Sequence, residues 1–117
     1  MTPAVLVGIG VAGGIGAMAR FLIDGAIATR AASEFPFGTF VVNVTGAVAL
    51  GIVVGSTVHG DAYRLVGTGA LGGYTTFSTW MFESQRLGED GELRLGAVNL
   101  VASLIAGLVA IWIGRGL

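Results

Sequence analysis

The chain has 117 residues, 54% of them hydrophobic and 11% charged, where a soluble domain carries about 25% charged and about 45–50% apolar residues; this composition does not furnish a water-facing surface. Six arginines, no lysine and seven acidic residues leave a net charge of −1, without the basic footprint that nucleic-acid binding requires, so nucleic acid is excluded as a partner. The absence of cysteine and the single His59 exclude disulfides, thiol catalysis and Cys- or His-cluster metal sites, leaving little equipment for an enzyme.

The charges fall between Arg20 and Glu34, between Asp61 and Arg64, between Glu83 and Arg94, and at Arg115. Four uncharged runs separate them: residues 2–19, 35–58, 65–82 and 95–114. At about 1.5 Å per residue, helices of these lengths reach roughly 27–36 Å, against a hydrocarbon core of about 30 Å. The sequence therefore predicts an all-α integral membrane protein, a single domain over 1–117 with four transmembrane helices at about 3–23, 38–58, 64–86 and 94–114.

The first predicted helix is dense in glycine, and Gly8-Ile9-Gly10-Val11-Ala12-Gly13 has the spacing of a dinucleotide-binding turn. A nucleotide-binding α/β domain would need amphipathic helices with charged outer faces, whereas the runs after Phe35 are uncharged all round. No Lys or Arg precedes the first run, so cleavage as a signal peptide after Ala17-Met18-Ala19 is not expected. Gly10 with Gly14, Gly51 with Gly55 and Gly69 with Gly73 form small-xxx-small pairs that permit close helix contact in lipid. The first connection, 24–37, is polar and ends at Pro36-Phe37-Gly38, where proline disfavours a helical residue before it. His59-Gly60-Asp61 then reads as a turn.

The third run departs from a plain span. Gly67, Gly69, Gly72 and Gly73 crowd toward Thr75, Thr76, Ser78 and Thr79, and each glycine weakens a helix by about 1 kcal/mol relative to alanine while hydroxyls compete for the backbone. One reading is a break near 72–76, which at membrane depth exposes carbonyls and amides able to hold ions. The other is an unbroken helix with a Gly/Ser-rich packing face. Gly88-Glu89-Asp90-Gly91 turns the chain into the fourth helix.

No Asp or Glu sits mid-run, so a proton relay lacks its carrier. The polar residues inside are neutral: Asn43 and Thr45, then Thr75, Thr76, Ser78 and Thr79, then Asn99 and Ser103. Their amide and hydroxyl groups can donate to a small anion without the tight hold of a full charge, or they can bond between helices, the reading preferred for Asn99. Phe77 and Trp80, three apart, share a helical face; aromatic rings have a positive edge that suits an anion, although this spacing alone is equally that of core packing. Arg20 ends the first helix, placed either to anchor it or to draw anions to a vestibule.

Three stretches, Gly13-Gly14-Ile15-Gly16-Ala17-Met18-Ala19-Arg20, Pro36-Phe37-Gly38-Thr39-Phe40-Val41-Val42-Asn43-Val44-Thr45-Gly46 and Gly72-Gly73-Tyr74-Thr75-Thr76-Phe77-Ser78-Thr79-Trp80, resemble the CrcB/Fluc fluoride channels in order and spacing. The resemblance implies a homodimer of two antiparallel copies in the inner membrane, with two pores along the dimer interface that let fluoride leave the cytoplasm passively. It further implies that Asn43, Phe77, Ser78 and Thr79 line the pore, and that backbone carbonyls of Gly72 and Thr75 from both copies hold a structural, untransported sodium ion. Trp80 stands where the family has a second pore phenylalanine: an indole keeps the ring edge, is larger, and adds an N–H donor. Ser103 joins the expected pore set on its facing and chemistry alone.

Four spans would put Arg64 and Arg115 on one side and Arg20, Arg30, Arg86 and Arg94 on the other. So weak a bias is compatible with one chain inserting both ways, or with a partner chain of opposite orientation. The rival reading, a small multidrug-resistance-type dual-topology exporter, wants a membrane carboxylate in its first helix, where this chain has small and aliphatic residues.

Overall fold

The computed structural model describes residues 1–117 and is helical throughout. Helix α1 spans Pro3–Ala31, α2 Phe37–Gly55 and α3 Gly60–Tyr63; a π-helical segment, Arg64–Leu71, follows and runs into α4, Gly72–Tyr74; α5 spans Ser78–Glu89 and α6 Leu93–Arg115. Three of these, α1, α2 and α6, are long and apolar enough to cross a membrane.

The third helix expected at 64–86 is instead divided among the π segment, α4 and α5, none of them long enough to span alone, and two further boundaries differ from those the charge pattern predicts. Helix α1 does not stop near Ile23 but continues through the charged stretch to Ala31, because Ala26, Ala28 and Ala31 are strong helix formers and nothing before Pro36 breaks the ladder. Charge marks where a chain leaves hydrocarbon, not where its helix ends. The start of α1 is set by the Thr2 hydroxyl, which accepts the Val5 amide at 3.2 Å ahead of Pro3; its end is Ala32, the single non-glycine residue at positive φ (46°). Helix α2 ends at Gly55 rather than near Val58, where the Ser56 hydroxyl turns back onto the Val53 carbonyl at 2.7 Å.

Packing is between backbones. Helix α2 lies along α6, and α1 lies along the π segment and α4. A Cβ added at Gly51 would strike the Ile111 carbonyl, one at Gly55 the Arg115 carbonyl, and one at Gly114 the Val48 carbonyl. On the other side Gly73 sits against the Gly13 backbone, Gly69 against Ile9 and Ala12, and Gly16 against the Ala70 carbonyl. Two of the three predicted glycine pairs therefore make close helix crossings. The third does not: Gly10 and Gly14 have nothing within 4 Å, and Gly13 and Gly16 make the α1 contacts instead, since the α1 face toward the π segment is one residue around from the 10/14 stripe.

Only 15 of 117 residues are buried, and rings and aliphatic chains such as Val7, Met18 and Phe21 on α1 and Ile105, Leu108 and Trp112 on α6 stand exposed. That is the inverse of a soluble fold and fits hydrocarbon as the surrounding solvent. Gly25, on the outer turns of α1, has open space around it. Gly25→Ala is expected to raise stability by up to about 1 kcal/mol through helix propensity alone, read as a higher unfolding temperature in detergent.

Candidate functional site

The helical course after α4 stops at Tyr74; Thr75 is extended (φ −79°, ψ 160°), and α5 begins at Ser78. Asn43, on α2, grips the intervening chain. Its Nδ2 donates to the Thr76 carbonyl at 2.9 Å and its Oδ1 accepts the Thr76 amide at 2.8 Å. One side chain thus satisfies both backbone groups of a residue outside any helix, as buried backbone in an apolar surround demands. Two residues earlier, the Tyr74 hydroxyl meets Thr45 Oγ1 at 2.9 Å, so α2 holds the chain on both sides of Thr75.

The same bonds leave two carbonyls without their usual helical donors. In a continuous helix the Thr76 amide would donate to the Gly72 carbonyl and the Thr79 amide to the Thr75 carbonyl. Here the first goes to Asn43 Oδ1 and the second to Thr76 Oγ1 at 3.2 Å. Hard oxygen atoms with free lone pairs are the ligands that alkali and alkaline-earth cations accept.

An open groove of about 350 Å³ runs past this point, with Asn43, Gly72, Thr75, Thr76, Phe77, Trp80 and Ser103 among its lining residues and Leu50, Leu71 and Leu104 on its apolar walls. Phe77, 69% exposed, and Trp80 meet edge to face, ring centroids 5.6 Å apart at 85°. Behind Trp80 a polar cluster joins α5 to α6: the indole Nε1 donates to the Asn99 carbonyl at 3.1 Å, Asn99 Nδ2 donates to Ser84 Oγ at 2.8 Å, and Ser84 Oγ donates to the Trp80 carbonyl at 2.8 Å. Ser103 Oγ donates to Asn99 Oδ1 at 3.2 Å. Asn99, 1% exposed, therefore serves as the interhelical bond its position suggests.

The structure brings Asn43, Phe77, Trp80, Ser103, Gly72 and Thr75 to one groove, but not Ser78, Thr79 or Arg20. Ser78 and Thr79 open α5 outside the lining. Arg20 lies on α1 with its Nε buried and unpartnered, as are Thr39 Oγ1 and Glu83 Oε1. The Thr39 hydroxyl neighbours the Glu83 carboxyl without meeting full hydrogen-bond geometry. The sequence offers Thr76 as one of several neutral polar residues, but it is its backbone rather than its side chain that is anchored, and Ser84 is an ordinary polar residue by composition. The spacing of Ser84 four residues after Trp80 was the available signal.

Backbone-packed apolar helices around an interrupted, side-chain-anchored segment define a polytopic helical membrane protein with a largely apolar groove beside the interruption. The family model described as CrcB-like protein, Camphor Resistance (CrcB), matches residues 7–115, and the chain belongs to that family. It is 49% identical over 116 residues to the fluoride-specific ion channel FluC 2 of Mycolicibacterium paratuberculosis, covering 99% of this chain and 95% of that one. Identity to FluC 2 of Mycobacterium tuberculosis (strain H37Rv) is 48% over 115 residues (98% and 91%), and to FluC 2 of Haloarcula marismortui 42% over 109 residues (93% and 89%).

Proposed function

We propose that the protein is a fluoride-selective channel that lets fluoride leave the cytoplasm passively, working as an antiparallel homodimer in the inner membrane. The observation that carries the fluoride assignment is near full-length identity of about half the residues to proteins named as fluoride-specific channels. The groove chemistry agrees with it. A small anion leaving water needs replacement donors, and a fully charged donor would hold it too tightly to pass. Asn43 uses one amide hydrogen on Thr76 and has a second to offer; Ser103 supplies a rotatable hydroxyl, and Phe77 and Trp80 supply ring edges. Ser78, Thr79 and the Arg20 vestibule belong to this reading as residues a second copy would bring into line.

Hydrogen fluoride crosses membranes as a neutral molecule in acid surroundings and dissociates inside, so a passive anion exit relieves the load without an energy source. The carbonyls of Gly72 and Thr75, whose helical donors are diverted, fit a sodium ion shared by two copies about their axis, where it would supply fixed positive charge and join the subunits.

Fluoride efflux from proteoliposomes, measured with a fluoride electrode beside chloride, tests the assignment: selective fluoride release is the expected result, and vesicles that retain fluoride overturn it. Exchanging sodium for a large organic cation is expected to weaken the dimer, seen as a shift to monomer in size-exclusion chromatography. A dimer indifferent to sodium removes the central ion from the scheme.

A further inference from the structure

The surroundings of Trp80 give its indole a distinct task. An indole has one hydrogen-bond donor and no acceptor. That donor points away from the groove to the Asn99 carbonyl on α6, at 3.1 Å, within the ordinary range for N–H···O. The same residue is tied to α6 a second time, because Ser84 Oγ donates to the Trp80 carbonyl while accepting from Asn99 Nδ2. Backbone and side chain of Trp80 are thus closed into one ring of bonds through Ser84 and Asn99, which are 7% and 1% exposed. Water has little access to compete for these groups, and a satisfied buried network is stiff.

We propose that Trp80 is a positioning residue of the channel whose indole N–H is a strut to the α6 backbone and never a ligand of the ion, so that the ring presents only its C–H edge to the groove. This rests on the channel reading above. A phenyl ring at this place could turn about its axis, whereas the strut gives the indole a single orientation, the one seen at 85° to Phe77. Turning the N–H toward an anion would break the bond to Asn99 and the edge-to-face contact together. Ser103 differs in this respect: its hydroxyl, now on Asn99 Oδ1 at 3.2 Å, can swing to an ion by rotation of one bond. Beside Trp80, then, the hydroxyl of Ser103 is the movable donor and the indole is the fixed wall.

The test uses the full-length protein carrying Trp112→Phe, which leaves Trp80 as the one indole of the two in the chain. In ¹⁵N-labelled protein in detergent, the indole N–H signal is followed during titration with sodium fluoride beside sodium chloride. The expected signal exchanges slowly with solvent and stays in place with both salts. A signal that exchanges rapidly, or moves saturably with fluoride, overturns the proposal. Efflux supplies the second measurement. Trp80→Phe keeps a ring edge and removes the strut, so efflux should fall about fivefold, the equivalent of one hydrogen bond of about 1 kcal/mol. Trp80→Ala removes the ring and should fall much further; undiminished efflux from Trp80→Phe would refute the strut. Absence of efflux from the unsubstituted protein would instead sink the channel reading, while the N–H signal still decides where the indole donor points.

Discussion

Asn43→Ala is expected to abolish fluoride efflux while the protein still inserts and elutes at the same size as the unsubstituted protein. Alanine leaves the Thr76 amide and carbonyl without the bonds at 2.8 and 2.9 Å that Asn43 supplies. Both bonds are half-buried, so each unpaired group costs up to about 1–3 kcal/mol, and a loss of about 2 kcal/mol for the pair lowers the population of the present arrangement by a factor of about 30. The Tyr74–Thr45 contact remains and cannot substitute, since it secures the chain before Thr75 and not after it. The helix crossings at Gly51, Gly55 and Gly114 are untouched, which is why folding should survive. Electrode-measured efflux together with size-exclusion chromatography checks both halves; normal flux from the Ala variant would remove Asn43 from the conduction path.

Gly51→Val should have the larger effect on stability, with little or no folded protein recovered. The added Cβ would meet the Ile111 carbonyl and the Arg115 amide, both backbone atoms of α6 that no side-chain rotation can move aside. Overpacking of this kind costs about 1–3 kcal/mol where side chains can yield, and more where they cannot. Val42, fully buried in the same helix, shows how closely α2 is enclosed. Yield and thermal unfolding, compared with Gly25→Ala on the open side of α1, separate a crossing defect from a general intolerance of glycine replacement. A Gly51→Val protein that unfolds at the unsubstituted temperature would mean that α2 and α6 do not cross at this point.

Much of this architecture is legible from charge alone. The uncharged runs mark α1, α2 and α6 because a bilayer forbids charge over the same length that a helix needs to cross it. The glycine pairs at 51/55 and 69/73 mark true crossings, since small residues in lipid serve close approach. The pair at 10/14 has the same spacing and no contact; spacing names a stripe, and only the neighbouring helix decides which stripe is used. At the groove, the resemblance brought forward Asn43, Phe77 and Trp80, and facing and chemistry brought forward Ser103. It could not reveal that Asn43 holds backbone, or that the Trp80 donor turns to α6, because both depend on atoms that every residue possesses.

The double grip of Asn43 also works as a depth gauge. Asn43 lies six residues into α2 from Phe37, about 9 Å along a helix that is about 28 Å long, so the extended stretch is hung roughly one third of the way down rather than at the midpoint. Adding one residue between Phe37 and Asn43 would lower the hook by about 1.5 Å and swing it by about 100°, away from Thr76 altogether. Lengthening the connection before Phe35 would leave the spacing from Phe37 to Asn43 unchanged. The length of the first two turns of α2, from Phe37 to Asn43, therefore sets where the extended stretch is hung.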